Sequence, residues 1–399
     1  MGFKVLVMGT GAQGRVLAYL FDKDNDVDEI HWAGRRPHVV EEYCKKLEKA
    51  KPFKANATNV DEMVEAAKGV DVLINAVVPE LNLYVLDAAL KAGVHYIDMA
   101  FGPPYENLDK ELEKSEDFKK KDLVAVTSAG LTPGTTNILA AYAADNMDSV
   151  ELIKIVDAEW VDADIPISTW SPETFLADCL MPAFLYDGEL KQVPPFSEFE
   201  VIDFPEIGPQ NVCHHAHEEV VTLWRFIGKP VKRVEFKIAG VDLIYQLYKL
   251  GLLNKEKIKV GDVEVSPLDV YLSVVPRPPT PEQLKKWVEK GLLRDAKEVC
   301  LVKTTGYKGD QFLDYTFYTF SPPFKELLEK CPPANHSSYL VSTSAYILAK
   351  MIYNGDLKTK GVVVPEALTR EEREVYIKMN GKLDPPVRIE MTLKSDISK

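Results

Sequence analysis

The stretch "VLVMGTGAQGRVLAYL", Val5–Leu20, decides the fold. Its first part is an apolar run rich in β-branched residues that stops at glycine, as a buried parallel strand does. Its second part carries apolar residues at helical spacing. Between them Gly9, Gly11 and Gly14 form a GxGxxG pattern that closes the strand and opens the helix, the context a dinucleotide phosphate loop requires. Gly9 permits the tight turn, Gly11 lets the backbone approach a pyrophosphate, and Gly14 lets helix and strand pack closely. Thr10, Ala12 and Gln13 belong to the same loop, where the first helical amides face an anion.

The pattern repeats outward. "DEIHWAG", "KPFKANAT", "DVLINAVVP", "VHYIDMA" and "LVAVTSAG" read as five further strands, with helical patterns between most of them. Such alternation predicts a doubly wound α/β sheet of Rossmann type, whose ligands bind beyond the carboxyl ends of the strands. The loops "GTGAQG", "AGRRP", "NAVVP", "DMAFG" and "SAGLTPG" therefore share one crevice. After Gly130 the pattern changes to long alternating strands, Pro-rich connections and amphipathic helices, an inserted α+β substrate and dimerisation domain. The expected division is 1–130 and about 340–399 for the nucleotide domain and 131–339 for the insert, with the long apolar helix in "SSYLVSTSAYILAKMIYNG" returning to the first domain. A helix is expected through "SPETFLADCLMPAFLY", and the final "LKSDISK" is expected to fray.

The end of the second strand selects the cofactor. An NAD site carries an acid there, about twenty residues after the glycines, to bind the ribose hydroxyls. This chain has Gly34, then Arg35 and Arg36. Removing the acid removes its repulsion of a 2′-phosphate, and guanidinium groups are planar donors suited to phosphate. The reading is NADP, with NAD as the lesser possibility.

Composition narrows the partners. A chain of 399 residues with 46% hydrophobic and 27% charged residues suits two domains. A net charge of -13 argues against nucleic acid, which is held by Lys and Arg on phosphates. Five cysteines without a CxxC pair argue against a disulfide framework and a structural zinc site. No apolar run approaches the length of a membrane span, and Leu6 stands where a myristoylation signal needs Ser or Thr. A cytoplasmic protein free of the membrane is expected.

The residues quoted above, together with "SAGLTPGTTNILA", "WSPETFLADCLMPAFLYDGEL" and "GVVVPEAL", resemble the saccharopine dehydrogenase-like family, most closely its lysine 6-dehydrogenase and saccharopine reductase branch. The resemblance is strong to about residue 190 and looser beyond. It implies an NAD(P)-dependent oxidoreductase that transfers hydride at a carbon–nitrogen bond of an amino acid, an opine-like secondary amine or a polyamine, and a homodimer built partly by the insert. The chain departs from the family pattern at Ala129, where relatives carry cysteine. Two other readings stay open: a closed redox cycle like that of homospermidine-forming relatives, and a non-catalytic NADP(H) sensor.

Hydride chemistry needs the nicotinamide held near an imine carbon in an apolar enclosure, with charge to steady the iminium form. Asn75, Ala76, Val77 and Val78 are expected beside the nicotinamide with Pro79 directing the chain outward, and Ala129 and Pro133 belong to the cofactor loop after the sixth strand. Asp98 ends the fifth strand and either steadies a cationic imine or caps a loop. Thr135 and Asn137 open a helix that offers amides to a carboxylate or to the nicotinamide amide. In "CHHAHEEVVTLWRF" a strand would set His215 and His217 on one face and His214 on the other, which does not suit a metal. Catalytic His217, with Glu218 and Thr222, is instead expected to line the cleft, and Arg225 to pair a substrate carboxylate. Tyr105 and Trp170 are placed as pocket walls, His95 as the residue opening a strand, and His336 at the cleft.

Overall fold

The computed structural model describes residues 2–103 and 105–397. The first six strands are β1 (Phe3–Met8), β2 (Val27–Gly34), β3 (Ala50–Lys54), β4 (Val72–Asn75), β5 (His95–Asp98) and β6 (Val124–Val126). They pair in parallel in the order β3-β2-β1-β4-β5-β6. Alternation along β1 fills both faces. Phe3, Val5 and Val7 pack with Leu17 and Phe21 of the helix Ala12–Lys23. Leu6 and Met8 pack with Met63, Val85 and Leu86 of the helices Val60–Ala66 and Asn82–Ala92. Burying each such side chain stabilises the fold by roughly 1.5–3 kcal/mol, and the sheet order reverses between β1 and β4, the point where ligands bind in such folds.

The second sheet contains β7 (Ser149–Ala163), β8 (Ala183–Asp187), β9 (Leu190–Val193), β10 (Glu200–Phe204), β11 (Gly208–His214), β12 (Val231–Ala239), β15 (Leu293–Lys308) and β16 (Gln311–Phe320). A separate hairpin, β13 (Ile258–Val260) and β14 (Val263–Val265), lies apart from it. The long strands β7 and β15 form its centre, antiparallel to each other, with β12 parallel to β7. One face packs Ile153, Ile155, Phe236, Val302 and Phe317 against Leu139 and Ala143 of the helix Thr135–Ala144 and Val220 and Leu223 of the helix Glu219–Phe226.

The chain then returns to the first sheet. The helix His336–Asn354 packs Ala345, Ile347 and Leu348 on the first sheet, and β17 (Gly361–Val363) adds to it as a seventh parallel strand beside β6. The last strand, β18 (Arg388–Ile397), departs from the expected division: it pairs antiparallel with β16 in the second sheet. The expected frayed end is thus strand as far as Ile397, because the ladder of β16 supplies its backbone partners. The helix expected through residue 186 stops at Leu180, since Pro182 forces Met181 into an extended conformation, and Ala183–Asp187 becomes a strand. The histidine segment is strand only to His214, and a helix begins at Glu219.

Candidate functional site

The phosphate loop has the geometry its glycines imply. Gly9 has φ +120, and a Cβ there would stand 2.4 Å from the Ala76 carbonyl oxygen. A Cβ on Gly14 would stand 2.2 Å from the Gly9 carbonyl oxygen, so the helix lies this close only with glycine. Nothing lies within 4 Å of where a Gly11 Cβ would point. The helix Ala12–Lys23 starts with no side-chain cap and no acidic residue in its first turn, which leaves its positive end for an anion. Gln13 turns its Oε1 to the Ser342 hydroxyl at 2.6 Å, tying the loop to the returning helix.

Gly34 is buried, with the Thr10 methyl 3.2 Å from where its Cβ would be. Arg35 and Arg36 follow on the surface, and neither side chain makes an ion pair or hydrogen bond among the described residues. Two guanidinium groups therefore stand uncommitted at the end of β2.

Asn75 sets the next loop. Its Oδ1 accepts from the Val77 amide at 3.2 Å, and its Nδ2 donates to Asn82 Oδ1 at 2.8 Å and to Tyr96 Oη at 3.1 Å. Ala76 and Val77 are left half-buried and Val78 is 56% exposed, an apolar ledge before the short turn Pro79–Leu81. His95 opens β5, and its Nδ1 accepts from the Val124 amide at 3.0 Å.

Asp98 is enclosed. Its Oδ1 accepts from the Ser128 amide at 2.8 Å, with Thr127 Oγ1 at 3.2 Å, and that hydroxyl lies 2.6 Å from Glu111. Ser128 has φ +62, a left-handed conformation that a carboxylate on its N–H helps to hold. Burial, then the nearby Glu111 charge, pushes the Asp98 carboxyl well up. Of the two sequence readings of Asp98, the geometry is that of the loop cap: its side chain holds the crossover and presents no surface to the cleft.

The helix start at Thr135 also differs from expectation. Thr135 and Thr136 donate their amides to the Gly130 and Leu131 carbonyls at 2.9 and 3.1 Å, and the Gly134 amide donates to Asn137 Oδ1 at 2.9 Å. Asn137 Nδ2 reaches Thr222 at 3.3 Å, and Thr135 Oγ1 reaches Tyr376 Oη at 2.6 Å. The loop's own carbonyls and side chains saturate these donors, so no anion site is left there. Ala129 and Pro133 are buried within this turn, where a Cβ on Gly134 would fall 2.0 Å from the Gly130 oxygen.

A second set of titratable groups gathers around His217. His217 stacks on Phe236 of β12 with centroids 4.0 Å apart, and its Nδ1 is hydrogen-bonded to Glu219, which accepts from Thr136 Oγ1 at 3.0 Å. Burial pulls the His217 pKa down, but Glu219 outweighs it, helped by Glu218 and Asp178, and raises it to about 9. His215, fully enclosed beside that positive ring, is pushed down to about 3. Glu218 accepts the Gly102 and Phe101 amides at 2.7 and 3.1 Å, and burial pushes it up to about 7 against the pull of His217 and those amides. Asp178, on the helix Pro172–Leu180, is pushed up to about 6 by burial, with His217 opposing and Glu80 adding. Tyr105 meets Phe184 edge-on at 5.3 Å, its hydroxyl pKa raised by burial and then by Glu218.

The model of the saccharopine dehydrogenase NADP binding domain matches residues 5–127, and that of the saccharopine dehydrogenase C-terminal domain matches residues 130–384. This chain belongs to the saccharopine dehydrogenase family. It is 28% identical over 303 residues to a carboxynorspermidine synthase of Vibrio cholerae, covering 69% of this chain and 73% of that one. It is 26% identical over 290 residues to a carboxyaminopropylagmatine dehydrogenase of Synechocystis, with the same coverage of 69% and 73%. In fold it is similar to saccharopine dehydrogenase (L-Glu forming) of Saccharomyces cerevisiae, at a TM-score of 0.74 and 13% identity, over 98% of this chain and 100% of that one.

As a saccharopine dehydrogenase family member the protein is an NADP-binding oxidoreductase, and its residues fit that cofactor: the space beside Gly11, the acid-free helix start and the uncommitted Arg35 and Arg36. When bound, NADP(H) supplies the hydride chemistry. Arg225 departs from the expected role, because Asp109 of the helix Asn107–Leu112 takes its guanidinium at 2.6 Å. Trp170 is half-buried against Phe175 at 5.3 Å, and His336 is enclosed near Glu159 at 3.9 Å. Sequence reasoning missed Glu219 and Asp178. The pair His217 and Glu219 lies two residues apart across a helix start, a spacing that carries no signature until the turn brings Nδ1 onto the carboxylate.

Proposed function

We propose that this NADP-dependent oxidoreductase transfers hydride between its cofactor and a carbon–nitrogen bond that alternates between neutral amine and cationic iminium, with His217 as its proton-handling residue. The carrying observation is the His217–Glu219 pair, with the charges of Glu218 and Asp178 acting on the same ring. Glu219 occupies Nδ1 and favours the protonated ring, leaving Nε2 as the site from which a proton is given to or taken from the substrate nitrogen. The surrounding carboxyl groups favour positive charge, as an amine or iminium carries. The shelf Ala76–Val78 supplies the apolar side of the enclosure, and the loop amides with Arg35 and Arg36 hold the cofactor phosphates. The names of the two curated relatives describe carboxylated polyamines, which are secondary amines of this kind.

NADPH oxidation on adding a diamine with an amino-acid semialdehyde, or NADP reduction with a carboxylated polyamine, is the expected result. Amine product formed without net change in NADPH would instead mean a closed redox cycle, and tight NADPH binding without turnover of any amine would mean a sensor. A homodimer is the assembly we propose, supported by the family resemblance and by the exposed apolar side chains Leu243, Leu250, Ile258, Val263, Val270 and Val274 of the insert. Sedimentation at micromolar concentration tests it. No helix among the described residues is long and apolar enough to cross a membrane, and a cytoplasmic location is proposed from the five unpaired cysteines.

A further inference from the structure

The inward face of the second sheet changes character along its length. On β7, Ile153 and Ile155 face the helices, and the same face continues as Asp157 and Glu159. On β15, Val302 of that face is followed by Cys300 opposite Asp157 and Glu298 opposite Glu159. Carboxylate oxygens of Asp157 and Glu298 and the Cys300 sulfur all lie within 4.8 Å of one another, and the Cys300 thiol donates to Asp157 Oδ1 at 3.1 Å.

Three carboxyl groups thus share one place, and among the described residues none is ion-paired with a lysine or arginine. The contrast lies on the other face of the same sheet, where Glu200 and Glu235 are paired by Lys154, Lys237 and Arg233. A second observation is independent of the acids. His336 is 2% exposed, both its ring nitrogens lack a partner, and Nε2 stands 3.9 Å from Glu159; Glu298, equally buried, leaves Oε2 without a partner. Such groups are costly to bury unpaired, so the cluster suits a donor that arrives with a ligand. Asp157 and Glu159 keep part of their surface open, and Thr169 Oγ1 holds Glu159 at 2.7 Å, so the entrance is on their side.

The cluster lies within electrostatic reach of the site already described. The positive His217 ring acts on Asp157, and Phe236, on which His217 stacks, pairs with Ile155, two residues before Asp157. Two residues along β7 advance ~7 Å, a step that a short alkyl chain with an amine at each end can span. A primary ammonium group brings three N–H donors and no acceptor, which matches carboxylates and an acceptor nitrogen of neutral imidazole.

We propose that Asp157, Glu159 and Glu298, closed by His336, form a subsite for a primary ammonium group, and that the substrate is a diamine whose far amine seats there while the near amine reacts beside His217. This rests on the amine-oxidoreductase reading above, and it adds the determinant that separates diamines from monoamines.

The test uses the full-length protein loaded with NADP and two probes, putrescine and n-butylamine, titrated by calorimetry. Putrescine is expected to bind at least tenfold tighter. Asp157→Asn, and Glu159→Gln at the more exposed mouth, are each expected to remove that preference while leaving n-butylamine and NADPH affinities within twofold. Equal affinity of the two amines in the unmutated protein overturns the subsite, and so does an equal loss for both amines in folded variants. A stoichiometric divalent metal in the purified protein, lost in Asp157→Asn, also overturns it in favour of a metal centre. The binding preference is read without turnover. A putrescine preference without NADPH oxidation would reject the reaction and keep the subsite, whereas turnover with equal KM for monoamine and diamine would do the reverse.

Discussion

The Glu218 carboxylate accepts the Gly102 amide at 2.7 Å, and through that bond the second domain grips the loop that follows β5 of the first. The neighbouring Phe101 amide adds a second bond at 3.1 Å. Both donors are buried, so removing the acceptor strands them. Glu218→Ala is expected to cost about 2 kcal/mol of stability, and Glu218→Gln, which keeps an acceptor oxygen, clearly less. Urea unfolding of both variants checks this, and equal losses would remove the role of these bonds.

The cofactor preference follows from Gly34, Arg35 and Arg36. NADPH is expected to bind at least about tenfold more tightly than NADH, a difference of about 1.4 kcal/mol, and Arg35→Ala to remove most of it. Arg36→Ala is expected to have the smaller effect. Fluorescence titration with both dinucleotides decides, and equal affinities in the unmutated protein would defeat the assignment of the arginines.

Gly11 and Gly14 should respond differently to the same substitution. Gly11 has φ -73 and open space around its would-be Cβ, so Gly11→Ala is expected to keep the melting temperature and to weaken NADPH binding. At Gly14 the added carbon meets backbone at 2.2 Å. Gly14→Ala is therefore expected to destabilise the free protein by at least about 2 kcal/mol. Calorimetric melts with and without NADPH separate the two outcomes.

His217 links stability to pH. Its folded pKa of about 9 lies above the ordinary 6.5, so its contribution is fully present below about 6.5 and is lost as pH rises through about 9. His217→Asn is expected to flatten the fall in unfolding free energy across that window. A variant with the same slope as the unmutated protein would mean that the ring is neutral in the fold.

Arg225 offers a check on a discarded assignment. Since Asp109 already holds its guanidinium, Arg225→Ala is expected to change substrate KM by less than twofold and stability by about 0–1 kcal/mol. A tenfold rise in KM would restore it to the substrate.

Much of the first domain was legible in the residues alone, because its signals are local. GxGxxG needs only the strand before it and the helix after it, and a continuous apolar run marks that strand as one buried on both faces, as Phe3, Val5 and Val7 on one side and Leu6 and Met8 on the other are. The missing acid at Gly34 and the bases after it spoke for NADP without any partner from elsewhere. The substrate side was different. Asp98 and Arg225 are residue types that a catalytic or binding site would use, yet Asp98 caps the turn at Ser128 and Arg225 pairs with Asp109, partners that lie 30 and 116 residues away. Asp157 and Glu159 carry no signature of their own in the sequence of their strand. Their meaning came from β15, which sets Glu298 and Cys300 opposite them, and from a helix that brings His336 over the top. Short-range patterns therefore determined the nucleotide-binding architecture and its cofactor. Only the tertiary structure decided which carboxylates are neutralised by the chain itself and which are left facing the cleft, since charge compensation depends on distance in space rather than in sequence.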